Sequence, residues 1–352
     1  MKIAFIIPVY NAANTIRRAI ASIDTKYEHE IICINDGSTD ESLAVLQELA
    51  KMYKELTIIN QENAGAAASR NRGLASMSSD VFMFLDADDE FLPSRIDYMA
   101  DYYLKNDDVD IVLGQLGRER HGEWQTIPTH TEINKFDTVN LAQCPAILQS
   151  IGPGAKMFSA KFADLRFDED VVFCEEHTFM ARAFNKASDI QLLPNIIYGY
   201  NNVEGSITEQ RTHRFEDYLA NAAVVRQRVM DILLLSNLRV YYSYRFDELI
   251  VSYLIQSYLA NQKEITEPFI NAVTMYLKTM QTTDYEGRAL FRIIKVVEQG
   301  GKGWTKPIYE TWRETLHYVG IGRPPYYRFK VEILPRRAKF KSKMTLKKFL
   351  KR

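Results

Sequence analysis

The sequence predicts an α/β fold: a doubly wound parallel sheet followed by a smaller, mainly α-helical domain. Three observations predict it. Apolar runs and amphipathic segments alternate through the first hundred residues on short links, the pattern of βα units with right-handed crossovers. The apolar runs are continuous rather than alternating, as in strands buried on both faces. After about Thr208 the strand signals give way to long segments of helical periodicity.

The elements follow in order. Ile3 to Val9 is an apolar run, Ala13 to Ile23 has helical spacing and His29 to Asn35 is apolar again. Asp40 to Tyr53 is amphipathic through Leu43, Leu46 and Leu49, with Asp40 placed as its N-cap, and Leu56 to Asn60 reads as a short strand. Ala64 to Met77 is an alanine-rich helix, and Val81 to Leu85 is a fully apolar strand. Farther on, Arg214 to Leu235 and Tyr244 to Ala260 are long helices, and Tyr241, Tyr242, Tyr244, Tyr253 and Tyr258 read as packing between helices. Gly300-Gly301-Lys302-Gly303 lacks a phosphate-loop frame and is a plain loop. With a boundary near residues 208 to 215, the domains are expected at 1–210 and 211–335, leaving 336–352 as a tail.

Composition narrows the class. A chain of 352 residues with 46% hydrophobic and 25% charged residues has material for a sizeable core, which argues against disorder. No apolar stretch approaches the length a bilayer needs. Met1 to Tyr10 carries a lysine, has no small-residue cleavage site and runs into Pro8 and Asn11, so a signal peptide is not expected and a cytoplasmic location is. Cys33, Cys144 and Cys174 are odd in number and unpaired in spacing, which suits free thiols rather than a disulfide or zinc site. The net charge of −1 conceals polarity: Arg336 to Arg352 holds nine Lys or Arg and no acid, and removing those nine from 44 leaves 35 bases against 45 acids. Phe340, Met344, Leu346, Phe349 and Leu350 are interleaved with the tail lysines. Such a segment suits the anionic inner face of the cytoplasmic membrane, or a polyanionic acceptor; a solubilising end is the plain alternative.

The chemistry concentrates at strand ends. Leu85-Asp86-Ala87-Asp88-Asp89 stands behind the apolar run, at the C-terminal edge where open α/β sheets bind ligands. Clustered carboxylates raise one another's pKa unless they share a cation, and hard oxygen ligands suit Mg²⁺ or Mn²⁺ already carrying a diphosphate. An acidic turn ahead of the next helix, with Pro93 and Ser94 following, is the structural alternative. Three more clusters end the earlier strands: Pro8-Val9-Tyr10-Asn11, Asn35-Asp36-Gly37-Ser38-Thr39-Asp40 and Asn60-Gln61-Glu62-Asn63-Ala64-Gly65. On one sheet edge they form a nucleotide crevice in which Asp36 can accept from a base imide N–H and Tyr10 can lie against the ring. In Asn63 to Gly73 the small residues allow close helix approach, and Arg70 can reach a diphosphate. Neither Gly-x-Gly-x-x-Gly after the first strand nor Gly-x-x-x-x-Gly-Lys-Ser/Thr anywhere is present, which disfavours the two commonest nucleotide folds.

Together these segments resemble the family 2 glycosyltransferases of the GT-A fold, a Rossmann-like, doubly wound architecture. The matches are Ile6-Ile7-Pro8-Val9-Tyr10-Asn11, Asn35 to Asp40, Asn63-x-Gly65 with Ala68-Ser69-Arg70-Asn71-x-Gly73, and Phe84-Leu85-Asp86-Ala87-Asp88-Asp89. The resemblance covers about residues 1 to 210. It implies a UDP-sugar donor bound by Pro8, Val9, Tyr10, Asp36, Asn63, Arg70, Asp86 and Ala87, with Arg70 near the diphosphate and Asp86 and Asp88 holding Mn²⁺ or Mg²⁺. It also implies a general base from a downstream acidic pair, which aligns with Glu175-Glu176. Glu176 is the base on that alignment, in a position the family usually gives to aspartate; its extra methylene moves the carboxylate by about a bond length. Asp168, Glu169 and Asp170 are the fallback, and His177 is a neighbour that tunes Glu176 or simply packs. Gly152 to Phe158 takes the place of the acceptor-side segment, and Tyr198-x-Tyr200 with Ser206-Ile207-Thr208 closes the domain.

The expected reaction is inverting, metal-dependent transfer of single GlcNAc, GalNAc, Glc or Gal residues to a hydroxyl of a pre-made cell-surface glycopolymer or lipid-linked acceptor, such as a teichoic acid or capsule precursor. The helical domain would then serve acceptor binding or a homo-oligomer, and nucleic acid is not an expected partner. Two other classes compete. A sugar-1-phosphate nucleotidyltransferase would need a glycine-rich opening that this chain lacks. A non-catalytic sugar-nucleotide or nucleic-acid binder would have no need of the acidic pair.

Overall fold

The computed structural model describes residues 1–106, 109–201, 214–261 and 264–332, without the side chains of residues 284 and 285. The chain divides into two compact units, Met1–Val203 and Glu204–Arg352.

The first unit opens with β1 (Lys2–Val9), α1 (Ile16–Ala21), β2 (Glu28–Asp36), α2 (Ser42–Met52), β3 (Leu56–Gln61), α3 (Gly65–Ser76) and β4 (Val81–Phe84), close to the predicted bounds. These strands lie in the order β3-β2-β1-β4 and all pair in parallel, with Pro8 opposite Ile34 and Ile6 opposite Phe84. Because β1 has β2 on one side and β4 on the other, the strand order reverses at β1, and the ends of β1 and β4 open a crevice there. Ile3, Phe5, Ile6, Ile7 and Val9 are wholly buried, which explains the unbroken apolar run. Helix α3 lies close to this layer at Gly73, where a Cβ would stand 2.3 Å from Cγ2 of Ile6.

The expectation of a parallel sheet holds for these strands and for one later pair, but not for the strands between and beside them. The chain continues through β5 (Glu90–Phe91), α4 (Arg95–Lys105), β6 (Ile111–Arg120), β7 (Glu123–Thr126), β8 (Asp137–Val139), β9 (Lys156–Ser159), α5 (Glu175–Lys186) and β10 (Ile190–Gly199). The ten-stranded sheet extends as β4-β9-β6-β10-β5; β6 and β10 pair in parallel, whereas β9 runs antiparallel to both of its neighbours, so the sheet is mixed. One short 3₁₀ turn, Pro145–Gln149, lies between β8 and β9. Aromatic packing then draws the downstream segment onto β4. Phe82 stacks on Phe158 at 5.1 Å, Phe167 on Phe179 at 4.0 Å, and Phe84 meets Phe158, Phe167 and Phe179 edge-on.

The second unit is helical: α6 (Phe215–Ile232), α7 (Ser236–Ile250), α8 (Gln256–Ala260), α9 (Glu267–Lys278), α10 (Asp284–Gly300), α11 (Lys306–Tyr318) and α12 (Tyr326–Glu332). The helix read from Tyr244 begins at Ser236 and reaches α8 through a π-helical turn at Val251–Ile255. Tyr242 and Tyr258 are buried as expected, but Tyr244 is 44% exposed. Arg226 is buried between Asp247 and Glu286 and also donates to Ser243. The glycine-rich loop follows α10, with Gly303 in the left-handed region. Among the described residues no helix is long and apolar enough to cross a membrane. The tail at 336–352 and Ser206-Ile207-Thr208 lie outside the described residues.

Candidate functional site

The site is assembled where β1, β2, β3 and β4 end. Asn11, with φ of +49°, ties the first two loops together: its Oδ1 accepts from the N–H groups of Thr39 and Asp40, and its own N–H donates to Ser38. Asp40 accepts from the N–H of Ser42 and that of Ala13; α2 begins one residue later than an Asp40 cap requires. Tyr10 stands 52% exposed at the crevice, Asn63 is exposed and Pro8 half-buried. Val9 and Ala87 are buried, so any contact they make with a ligand is through the main chain.

Asp36 is 3% exposed, and its carboxylate already accepts from the side chain of Gln61 and the N–H groups of Ala64 and Gly65, each at 2.8 Å. It therefore shapes the entry to α3; a base N–H would be an additional donor to an oxygen in use.

The acidic motif alternates in exposure along the turn after β4. Asp86 and Asp88 reach solvent, whereas Asp89 is buried. Burial and then the charge of Asp86 raise the pKa of Asp88; burial with the charges of Asp86 and Asp88 pushes Asp89 up to about 8. Asp89 accepts from the N–H of Asn201 at 2.8 Å, and the buried Tyr198 hydroxyl accepts from the N–H of Asp86 at 3.0 Å. Among the described residues there is no group of three or more His, Cys, Asp or Glu side chains arranged to hold a metal ion. Asp86 and Asp88 are a two-carboxylate set, both partly exposed, in which Asp86 already accepts from Arg70.

Arg70 connects this motif to the downstream acids. Its guanidinium is 5.3 Å over the Phe167 ring and donates to Asp86 at 2.9 Å and to Glu175 at 3.3 Å. Burial opposes its charge, but Asp86, Glu176 and Glu175 outweigh that and raise its pKa. Its Nε is buried without a partner. The role read for Arg70, a diphosphate contact, must be reconciled with a guanidinium 4% exposed and held by two carboxylates.

Glu175 and Glu176 form the first turn of α5, after Cys174 in the left-handed region with φ of +63°. A helix N-terminus favours such charge. Burial and the charge of Glu176, opposed by Arg70, push Glu175 up to about 8, and the two carboxyls are hydrogen-bonded. Glu175 thus favours its protonated form at neutral pH, and Glu176 beside it is half-buried. The fallback acids have structural engagements: Asp168 pairs with Arg182, and Glu169 accepts from Asn71. His177 is buried and its pKa is lowered to about 3 by that burial, so it is neutral.

Several residues in or beside the matched motifs make contacts that the sequence does not disclose. Asn71 donates to the Phe167 carbonyl and accepts from its N–H, pinning the acidic segment to α3. Tyr198 and Asn201 hold the motif from 112 residues away. Wholly buried Lys156 donates to the carbonyls of Gly152 and Gly154, and burial lowers its pKa to about 7.

Residues 4–168 match the family model described as glycosyl transferase family 2. The chain is 34% identical to TagX of Staphylococcus aureus, provisionally named a glycosyltransferase, over 99% of this chain and 100% of that one. It is 28% identical to the poly(ribitol-phosphate) β-glucosyltransferase of Bacillus spizizenii over 57% of this chain and 32% of the relative. The crystal structure of Staphylococcus aureus TarS 1–349 in complex with UDP-GlcNAc superposes with a TM-score of 0.65 at 17% identity, covering 91% of this chain and 89% of TarS 1–349. That likeness fixes the fold as GT-A.

Proposed function

The chain belongs to glycosyltransferase family 2, and on that premise we propose that it moves a single hexosyl or N-acetylhexosaminyl residue from a UDP-sugar to a hydroxyl of a teichoic-acid-type glycopolymer or its lipid-linked precursor, with inversion. The observation that carries this reading is the Arg70 bridge, which brings the Asp86 motif and the Glu175-Glu176 pair into one site. The resemblance of Poly(ribitol-phosphate) β-glucosyltransferase and of the TarS complex supports the acceptor and donor classes.

In this reading Tyr10, Pro8 and Asn63 line the base and ribose, and Asp36 fixes the loop that positions them. Asp86 and Asp88 fit a Mg²⁺ or Mn²⁺ that arrives with the diphosphate, because both reach solvent and their mutual repulsion is relieved by a shared cation. That ion, when bound, offsets charge on the departing UDP. Glu176 takes the acceptor hydroxyl proton as the new C1–O bond forms, while the C1–O bond to the diphosphate breaks and its electron pair leaves with UDP. Neutral Glu175 orients Glu176, and Arg70 restrains both halves of the site. The basic tail would bring the enzyme to the inner face of the membrane or to an anionic acceptor, and the helical unit would serve acceptor binding or self-association.

Hydrolysis of a panel of UDP-sugars tests this reading, since slow hydrolysis needs no acceptor. The expected result is Mn²⁺- or Mg²⁺-dependent release of UDP from one donor, lost in chelator and reduced at least tenfold in Asp88→Ala. Equal, metal-independent turnover by both proteins would remove Asp88 from the site, and absence of both turnover and UDP binding would remove the donor assignment.

A further inference from the structure

One basic surface outside the acidic centre has no role in the steps above. Strands β6 and β7 form a hairpin whose turn, His121-Gly122, has both residues at positive φ. Seven buried residues of β6, Ile111 to Gly117, are followed by exposed Arg118, Glu119 and Arg120. Strand alternation places Arg118 and Arg120 on one face and Glu119 on the other, with the two Cα atoms about 6.6 Å apart. Together with Gln125, Thr126, Pro128 and Thr129, the arginines line a groove. Neither forms an ion pair among the described residues. Glu123 stands opposite Arg120 in the ladder but does not line the groove.

The groove adjoins the acidic centre. Arg118 lies over the Tyr200 ring at 4.6 Å, and the next residue, Asn201, donates to the Asp89 carboxylate and the Asp88 carbonyl. The groove is thus linked through Tyr200 and Asn201 to the turn that carries Asp86 and Asp88. Guanidinium forks recognise phosphate bidentately, and the threonines and Gln125 add hydrogen-bonding groups suited to hydroxyls. Bases on a chain with an acid excess outside its tail also attract an anionic polymer to this face.

We propose that the Arg118–Arg120 groove binds phosphodiester groups of an anionic, hydroxyl-bearing acceptor polymer and presents the neighbouring hydroxyl to the transfer site. This rests on the acceptor class proposed above, and it assigns that class a place on the molecule.

The test is equilibrium binding of purified poly(ribitol phosphate) to the full chain without donor, across a range of salt concentrations, with neutral dextran as control. Arg118→Gln/Arg120→Gln should weaken polymer binding at least tenfold near 0.15 M salt and flatten the log–log salt slope by up to two counterions, with an unchanged melting temperature. A second variant replaces Lys341, Lys343, Lys347 and Lys348 with Gln in the tail. Unchanged binding by the arginine variant, or binding lost only in the tail variant, overturns the groove. Because no donor is present, failure here is distinct from failure of UDP-sugar hydrolysis, which tests the donor reading by itself.

Discussion

At Arg70 a single guanidinium donates to Asp86 and Glu175, which lie 89 residues apart in the chain, while burial and the charge of Glu176 raise the pKa of Glu175 against the opposing charge of Arg70. Glu175 is held at about 8, above its ordinary 4.5, so its protonated form is favoured at pH 7. A raised folded-state pKa stabilises fully below the unfolded value and loses that contribution as pH climbs through the folded one. The melting temperature of the wild type should therefore fall between pH 4.5 and 8 relative to Glu175→Gln, which cannot titrate. In activity the two glutamates should separate: Glu176→Gln loses about 10²- to 10⁴-fold in kcat at every pH, whereas Glu175→Gln stays within a few-fold at pH 7 and lacks the inflection near pH 8. Equal losses in both variants would show that Glu176 has no distinct role as base. None of this pairing is visible in the sequence, where Glu175-Glu176 is only an acidic doublet; burial and the contact with Arg70 arise from the fold.

Among the elements, α3 links the sheet to the site: one face packs on β1 and β2, and Arg70 and Asn71 project to the acidic segment. Its alanines and Gly73 made the close approach legible in advance, as did the continuous apolar runs for β1, β2 and β4, whose burial on both faces leaves no polar alternation to misread. The strands of the second half were not legible. Strand β9 is four residues long and β5 two, too short for a period, and the partners that make them strands are supplied by distant segments. The approach at Gly73 has a measurable consequence. A methyl group added there would meet Ile6 at 2.3 Å and Ile34 at 3.2 Å, both wholly buried, so Gly73→Ala should cost about 1–3 kcal/mol in denaturant unfolding despite the better helix propensity of alanine. A neutral or stabilising effect would mean that α3 is not seated against β1 as described.

For the whole molecule, the separation of an α/β unit from a helical one was legible from the change in periodicity, and so was the cluster of motifs on one sheet edge. What the sequence withheld is contact between segments distant along the chain: Tyr198 and Asn201 supporting the acidic turn, Arg118 stacked on Tyr200, and Arg226 buried between two acids in the helical unit. A buried arginine reads in a sequence like any surface one, because only its neighbours distinguish them. The central claim is that these contacts assemble an inverting transferase with Glu176 as its base. The most direct measurement is the NMR assignment of anomeric configuration in the product formed from a UDP-α-sugar and poly(ribitol phosphate), for wild type and Glu176→Gln. A β-linked product that Glu176→Gln fails to form is the predicted result; an α-linked product, or β-linked product at the wild-type rate from Glu176→Gln, would contradict it.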